Sequence, residues 1–237
     1  MVWFINNVAK DETHRIGENR MMLTGGNSKL KETARLNDCI GLGFTLPRVL
    51  TCPEADECKN FCYGKAGRYC MPNPLNHAHA NLEATKQADF VEAMHVELAY
   101  HEHRARLKGK KLWVRLHDLG DFYSLEYALK WKELIHSFHN VNFYAYSTSL
   151  SILDEAGMLE GTHNWCLIPS YSTASKNLLP KNFAYVLTPN AKPLPNSIIG
   201  TDDDILNVVN YGRGYKVALV AHGSFKHKAP IIRKDGK

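Results

Sequence analysis

Three cysteines lie within eleven residues of one another, in a polar stretch of the chain. Cys52, Cys58 and Cys62 follow the spacing C-x5-C-x3-C. Thiolates are preferred ligands of soft metals and iron–sulfur clusters, and three of them on one loop can converge on one centre. Zinc sites are more often built from C-x2-C or Cys/His pairs, which this stretch lacks. The spacing therefore predicts a [4Fe-4S] cluster bound by these three cysteines, with zinc as the alternative metal.

Cys70 follows Cys62 after two glycines, and its role decides how reactive such a cluster can be. Ligation by all four thiolates would give a structural or electron-transfer cluster. Ligation by three leaves one iron with an open position, which can bind a substrate and act as a Lewis acid. We expect the open arrangement and therefore an enzyme acting on a small-molecule substrate. Lewis-acid hydrolysis or elimination and radical chemistry with S-adenosylmethionine are the two reaction classes that this arrangement allows.

Other side chains suited to catalysis lie where two predicted strands end. Arg115 and His117 alternate along one strand and are predicted to share a face, with Asp121 in the turn that follows. His222 follows the last predicted strand. His117 and His222 are candidates for proton transfer, and Arg115 is a candidate anchor for an anionic group. In the alternative interpretation, Asp121 caps the next helix and His117 is simply buried.

The predicted elements alternate between strands and helices. Period-two and short apolar patterns predict strands at residues 40–46, 111–118, 141–147, 164–168, 183–188 and 215–221. Helical spacing predicts helices at residues 76–107, 127–138, 151–159 and 202–210. Parallel neighbours need crossover connections, so this order predicts a mainly parallel sheet. We expect one α/β domain over residues 1–237, a TIM-like or partial (β/α) barrel, with an irregular segment at 1–37 and a basic tail at 224–237.

The bulk composition is that of a globular protein. The chain has 237 residues, 44% of them hydrophobic and 22% charged, and a formal net charge of +5. It shows neither a secretory signal nor an apolar run long enough for a bilayer, so we expect no membrane association and a cytoplasmic location. Six cysteines in that compartment indicate reduced thiols or metal ligands. The basic tail supports the alternative function, a non-enzymatic module stabilised by zinc or a cluster that binds host protein or nucleic acid.

A combination of motifs resembles a known family. These motifs are Thr51-Cys-Pro-Glu-Ala-Asp-Glu-Cys58, Phe61-Cys-Tyr-Gly64, Gly67-Arg-Tyr69, Asn81-Leu-Glu83, Val114-Arg-Leu-His-Asp-Leu-Gly-Asp-Phe-Tyr-Ser124 and Phe143-Tyr-Ala-Tyr146. Together they resemble the phage gene-product-88-like family over residues 28–225. The resemblance implies a bacteriophage-encoded protein that acts inside a bacterial host cell.

The cysteine stretch also resembles, more distantly, the radical S-adenosylmethionine enzymes. Those enzymes carry a three-cysteine loop after the first barrel strand, with an aromatic residue before the last cysteine, as Phe61 precedes Cys62 here. Their glycine-rich acidic motif is similar to Gly120-Asp121. Because their usual spacing is C-x3-C-x2-C, the resemblance implies cluster binding more strongly than binding of S-adenosylmethionine.

Overall fold

A computed structural model describes residues 22–25, 27–188 and 191–221 of the chain. Its strands are β1 (Leu23–Thr24), β2 (Ile40–Phe44), β3 (Leu112–Leu116), β4 (Val141–Ser147), β5 (Trp165–Pro169), β6 (Ala184–Leu187), β7 (Ser197–Ile199) and β8 (Lys216–Val220). Its α-helices are α1 (Ser28–Leu36), α2 (Cys58–Phe61), α3 (Pro72–Thr85), α4 (Phe90–Leu107), α5 (Leu125–Ser137), α6 (Leu150–Glu155) and α7 (Asp204–Gly212).

The larger sheet is mostly parallel. Its order is β1-β2-β3-β4-β5, in which β1 is antiparallel to β2 and every other neighbouring pair is parallel. Helices α3 and α4 connect β2 to β3, while α5 and α6 provide the next two crossovers. Parallel neighbours require such crossovers, and the alternation of strands and helices in the sequence reflects them. The prediction of a mixed α/β domain with a mainly parallel sheet is confirmed.

A second sheet continues from the first at one isolated β-bridge. Its order is β6-β8-β7, and both of its pairs are parallel. One isolated parallel bridge joins Ser170, just after β5, to Ala184 in β6. Among the described strands, the sheets remain open, with β1 at one edge and β7 at the other. The barrel part of the prediction is therefore not confirmed.

Side chains from two helices hold the edge strand β1. The carboxylate of Glu97 accepts hydrogen bonds from the backbone N–H groups of Met22 and Leu23, at 3.0 and 2.7 Å. The Asn81 side chain donates to the backbone oxygens of Met22 and Thr45, at 3.1 and 3.0 Å. The buried Glu97 carboxylate thus accepts from backbone N–H groups that would otherwise donate to a further strand.

The main core lies between one face of the larger sheet and helices α4 and α5. The rings of Phe44 and Trp131 meet edge to face at 5.2 Å between centroids, and Phe90 packs against both. On the opposite face, α1 packs directly on β2. A Cβ atom at Gly43 would lie 2.9 Å from the Cδ1 atom of Leu30, so glycine permits this close approach. Near β2, the sheet therefore has helices on both faces.

Two predicted boundaries were wrong. The segment expected to be irregular contains α1, which begins at an Asn27 side-chain cap and buries Leu30 and Thr33. The single helix expected at residues 76–107 is two helices, with the break between α3 and α4. The Thr85 hydroxyl at that break donates to the Leu82 carbonyl, and no glycine or proline marks the position in the sequence.

In the described part of the chain, no helix has the length and hydrophobicity needed to cross a membrane.

Candidate functional site

The predicted cluster ligands lie on the connection that follows β2. Cys52 lies between two turns, Cys58 begins α2, and Cys62 directly follows that helix. All three thiols are partly buried. Residues 52–70, called the cysteine loop below, pack over the ends of the parallel strands that follow in the sequence.

The first half of the cysteine loop is tied to the residues after β4 and β5. A carboxylate oxygen of Glu54 accepts a hydrogen bond from the backbone N–H of Ser151 at 3.2 Å, and the Glu54 carbonyl accepts one from the Ser172 hydroxyl. The Thr173 hydroxyl donates to the Asp56 carboxylate at 2.8 Å. The acidic residues between Cys52 and Cys58 thus anchor the loop to two strand ends.

The second half of the cysteine loop is tied to the residues after β3. The Tyr63 hydroxyl donates to the backbone oxygen of Asp118, and the Tyr69 hydroxyl lies 3.5 Å from an Asp118 carboxylate oxygen. The two tyrosine rings pack edge to face at 5.6 Å. The loop is therefore fixed at the carboxyl ends of β3, β4 and β5, the edge where open α/β sheets bind their ligands.

Burial and nearby negative charges, including that of Asp121, raise the pKa values of two of the three thiols. Burial raises the pKa of Cys52 to about 12, and the charges of Asp121, Cys58 and Cys62 contribute in the same direction. Burial also raises the pKa of Cys58 to about 12, with further contributions from Cys62 and Asp121. These groups are close enough to interact electrostatically. A cation among them would favour the thiolate forms that metals require.

The side chains of this loop do not form a finished ligand set. Within the residues that the structure describes, no three His, Cys, Asp or Glu side chains are grouped so that they could hold a metal ion. The donor types nevertheless suit a soft metal or cluster, since three partly buried thiols share one tethered loop. Ligand binding there would require the thiols to turn toward a common centre, and the cluster stays a prediction.

Cys70 has a different environment from the other three thiols. It is exposed, and its sulfur lies 3.9 Å from the Nη2 atom of Arg48. The same sulfur lies 3.8 Å from the Gly64 carbonyl oxygen, to which it donates. Arg48 also donates to the carbonyl of Tyr69, at 3.4 Å. The Cys70 thiol therefore contacts Arg48 and the backbone of the cysteine loop.

Asp121 is fixed by the residues at the end of β4. Its carboxylate accepts hydrogen bonds from the Ser147 hydroxyl at 2.6 Å and from the Thr148 backbone N–H and hydroxyl at 2.9 and 3.0 Å. Burial raises the pKa of Asp121, although these hydrogen bonds oppose the shift. The cap of α5 is Ser124, which accepts from the Tyr127 N–H. Asp121 is therefore not a helix cap but a rigidly held group whose charge influences Cys52 and Cys58.

His117 does not share a face with Arg115, and that expectation was wrong. β3 ends at Leu116, so strand alternation does not extend to His117. The His117 ring is buried in the main core, edge to face with Phe122 at 4.8 Å. Its Nε2 atom lies 2.7 Å from the Tyr127 hydroxyl. Burial lowers the pKa of His117 to about 3, and the charge of Arg115 contributes to the shift.

We expect the His117 ring to remain neutral in the folded protein from pH 5 to pH 8. Its ring resonances in an NMR pH titration should hold constant across that range, whereas in the urea-unfolded chain they should titrate near the ordinary pKa of about 6.5. The spectrum of His117→Phe identifies the resonance by its disappearance. Titration of the folded-state resonance near neutral pH would contradict the buried placement and restore His117 as a candidate for proton transfer.

Arg115 lies on the opposite face, in a buried charge network. Its Nη1 atom is 3.0 Å from a carboxylate oxygen of Asp204 and 3.5 Å from one of Asp118. The Tyr144 hydroxyl donates to Asp204 at 2.9 Å, and Lys29 forms an ion pair with Asp204 at 3.0 Å. Because two carboxylates already face the guanidinium, Arg115 is not the uncompensated cation that an anion anchor needs.

Sequence reasoning missed the role of Asp204. The run Asp202-Asp203-Asp204 is interpreted from sequence as a helix N-terminus, and Asp203 does cap α7 by accepting from two backbone N–H groups. Asp204, in contrast, is fully buried and paired with Arg115, 89 residues away. No local signal distinguishes it from its neighbours. His222 and the basic tail at 224–237 lie outside the described residues.

Comparison with models of known protein families gives a match over most of the chain. The family model described as Gene product 88 matches residues 21–228, which include the cysteine loop and the Arg115–Asp204 network. No curated protein and no solved structure matches the chain. The resemblance to radical S-adenosylmethionine enzymes is not shown by these comparisons.

Proposed function

Since the chain belongs to the Gene product 88 family, we propose that it is a phage-encoded protein that binds a [4Fe-4S] cluster through Cys52, Cys58 and Cys62 in the cytoplasm of the host cell. The observation that carries the proposal is a loop that holds three cysteines within eleven residues and is tied to the carboxyl ends of three neighbouring strands. When bound, a cluster with three protein ligands supplies an iron with an open position.

The raised pKa values of two thiols predict how cluster binding depends on pH. Thiol pKa values near 12 mean that Cys52 and Cys58 are protonated at neutral pH in the absence of a cation. Part of that shift comes from neighbouring negative charge, which a bound iron centre would offset. Binding should therefore release protons and depend on pH. The tethers at Glu54 and Tyr63 hold the loop in place during that change.

We further propose that the occupied site is catalytic and acts on a small molecule. Support comes from the position of the loop at the carboxyl edge of a parallel sheet, where ligand sites of α/β proteins lie. Asp121 is the best placed of the candidate polar groups, because its charge influences two of the thiols and four hydrogen bonds fix its carboxylate. Arg115 and His117 act in this proposal by positioning the residues around Asp118, and His222 remains a candidate for proton transfer.

Anaerobic reconstitution tests the cluster directly. We expect the full chain to bind about four iron and four sulfide per molecule and to turn brown, with the absorbance that [4Fe-4S] proteins show near 400 nm. Stoichiometric zinc with negligible iron and sulfide would contradict the proposal and favour the zinc-stabilised module that binds host protein or nucleic acid. A control reconstitution of the Cys52→Ser/Cys58→Ser/Cys62→Ser variant measures adventitious iron.

The reconstituted protein also separates the two reaction classes. Formation of 5′-deoxyadenosine from S-adenosylmethionine by the reduced protein would assign radical chemistry. Hydrolysis of activated esters that is lost with the cluster would instead assign Lewis-acid chemistry. Absence of both activities in protein with a full cluster would contradict the catalytic part of the proposal and leave its cluster part intact.

A further inference from the structure

A buried charge network lies on the sheet face that α1 and α7 cover, and its net formal charge is zero. It contains two cations, Lys29 and Arg115, and two carboxylates, Asp118 and Asp204, joined by ion pairs of 3.0 to 3.5 Å. Formally, +2 and −2 sum to zero. Burying a further unpaired charge in such a network is costly, because the new charge loses hydration without gaining a partner of its own.

Among the described residues, three polar atoms of this network have no hydrogen-bond partner, and one of them, Oδ1 of Asp204, is held by the Lys29 ion pair at 3.0 Å. The other two are the Nε atom of Arg115, which is a donor, and the Oδ1 atom of Asp118, which is an acceptor. Both atoms are buried, and neither forms a hydrogen bond with the described residues. Their side chains are 10% and 7% exposed, and the Nη1 atom of Arg115 lies 3.5 Å from that same Asp118 oxygen. A donor and an acceptor that lack hydrogen bonds therefore belong to two side chains that already form an ion pair, three residues apart at the end of β3. Buried polar groups of this kind are normally satisfied.

Two side chains that contact the network are partly exposed. The side chain of Lys29 is 27% exposed while its ammonium group contacts Asp204. Tyr69, at the end of the cysteine loop, is partly exposed and contacts Asp118. Lys29 on α1 and Tyr69 on the cysteine loop therefore mark the side on which the network lies nearest to solvent.

We propose that Arg115 and Asp118 form a binding site for a small zwitterion that carries a carboxylate and an ammonium group on adjacent carbons, as a free α-amino acid does. The carboxylate accepts from the Arg115 Nε–H, and the ammonium donates to Asp118 Oδ1. Such a ligand satisfies both free atoms and adds no net charge to a network that is already neutral. The site does not depend on the [4Fe-4S] cluster, and its test is carried out without iron.

Equilibrium dialysis of the full chain with radiolabelled glycine, acetate and methylamine tests the proposal. Glycine contains both groups, whereas each of the other probes contains one. We expect saturable binding of one glycine per chain, with acetate and methylamine at least about tenfold weaker, because each leaves a charge unpaired. No saturable binding of glycine up to the order of 10 mM would overturn the proposal and indicate that only water occupies these atoms.

Variants that change the network's charge should change the preferred probe. Asp118→Asn gives the network a formal charge of +1 and should make acetate bind at least as tightly as glycine. Lys29→Met gives it −1 and should favour methylamine, and this partly exposed residue tolerates replacement more readily. Asp38→Asn is the matched control, since its carboxylate is 84% exposed and pairs with Lys110. An unchanged preference for glycine in both network variants would also overturn the proposal.

Discussion

Replacing Cys58 with alanine should remove most of the iron and sulfide that the reconstituted protein holds, whereas Cys70→Ala should retain nearly all of it. Cys58 interacts electrostatically with Cys62 and Asp121, and its removal leaves two thiolates, too few for a stable cubane cluster. Cys70 is exposed and engaged by Arg48 and Gly64. Iron and sulfide content, with the visible absorption spectrum, measures the difference.

The same measurement on Cys166→Ala controls for the loss of any partly buried thiol. Cys166 lies in β5, and burial raises its pKa to about 11, so its replacement changes a thiol outside the cysteine loop. We expect this variant to retain its cluster. Equal loss of iron from Cys58→Ala and Cys70→Ala would establish four-thiolate ligation. The cluster would then be an electron-transfer or structural centre, and the catalytic proposal would fail.

Replacing Asp204 with alanine should destabilise the protein by about 3–5 kcal/mol, the usual cost of removing one partner from a buried ion pair. The change leaves the buried Arg115 guanidinium without its nearer carboxylate, and it removes the acceptor for the Tyr144 hydroxyl. The free energy of unfolding in urea measures the effect. Asp202→Ala is the matched control: this neighbouring residue is exposed, and its loss should change stability by less than about 0.5 kcal/mol.

The contribution of Asp204 should also depend on pH. Burial alone would raise the pKa of this carboxyl, but the charges of Arg115 and Lys29 outweigh burial and lower it. A lowered pKa in the folded state means that the stabilisation is complete above the unfolded pKa, near 3.9, and is lost as the pH falls through the folded value. The difference in unfolding free energy between wild type and Asp204→Asn should therefore shrink in acid. A difference that stays constant from pH 7 to pH 2 would contradict the ion-pair account.

The sequence was most informative where local pattern determines structure. The alternating residues of β4 predicted that strand with the bounds observed, 141–147, because one of its faces meets an apolar core and the other a polar environment. The order of strands and crossovers predicted the parallel sheet for a similar reason. The position of the three cysteines after a strand was also visible, since both the strand and the thiols lie within one short stretch.

The sequence was least informative where distant residues meet. Nothing near Asp204 indicates that it pairs with Arg115, and nothing near Glu54 indicates a bond to Ser172. The orientation of His117 was mistaken because the alternation of β3 was extended past the residue at which the strand ends. Such contacts depend on how separate elements pack, which local periodicity does not encode.

The carboxylate of Glu97 also affects whether another copy of this chain can pair with the edge strand β1. An edge strand with free backbone N–H groups is a template onto which another polypeptide can add, and this is a common start of aggregation. At β1, Glu97 already occupies the N–H groups of Met22 and Leu23. Its charge also places a desolvation cost on any strand that would replace it. Within the described residues, one glutamate from a neighbouring helix therefore occupies the backbone N–H groups that such intermolecular pairing would need.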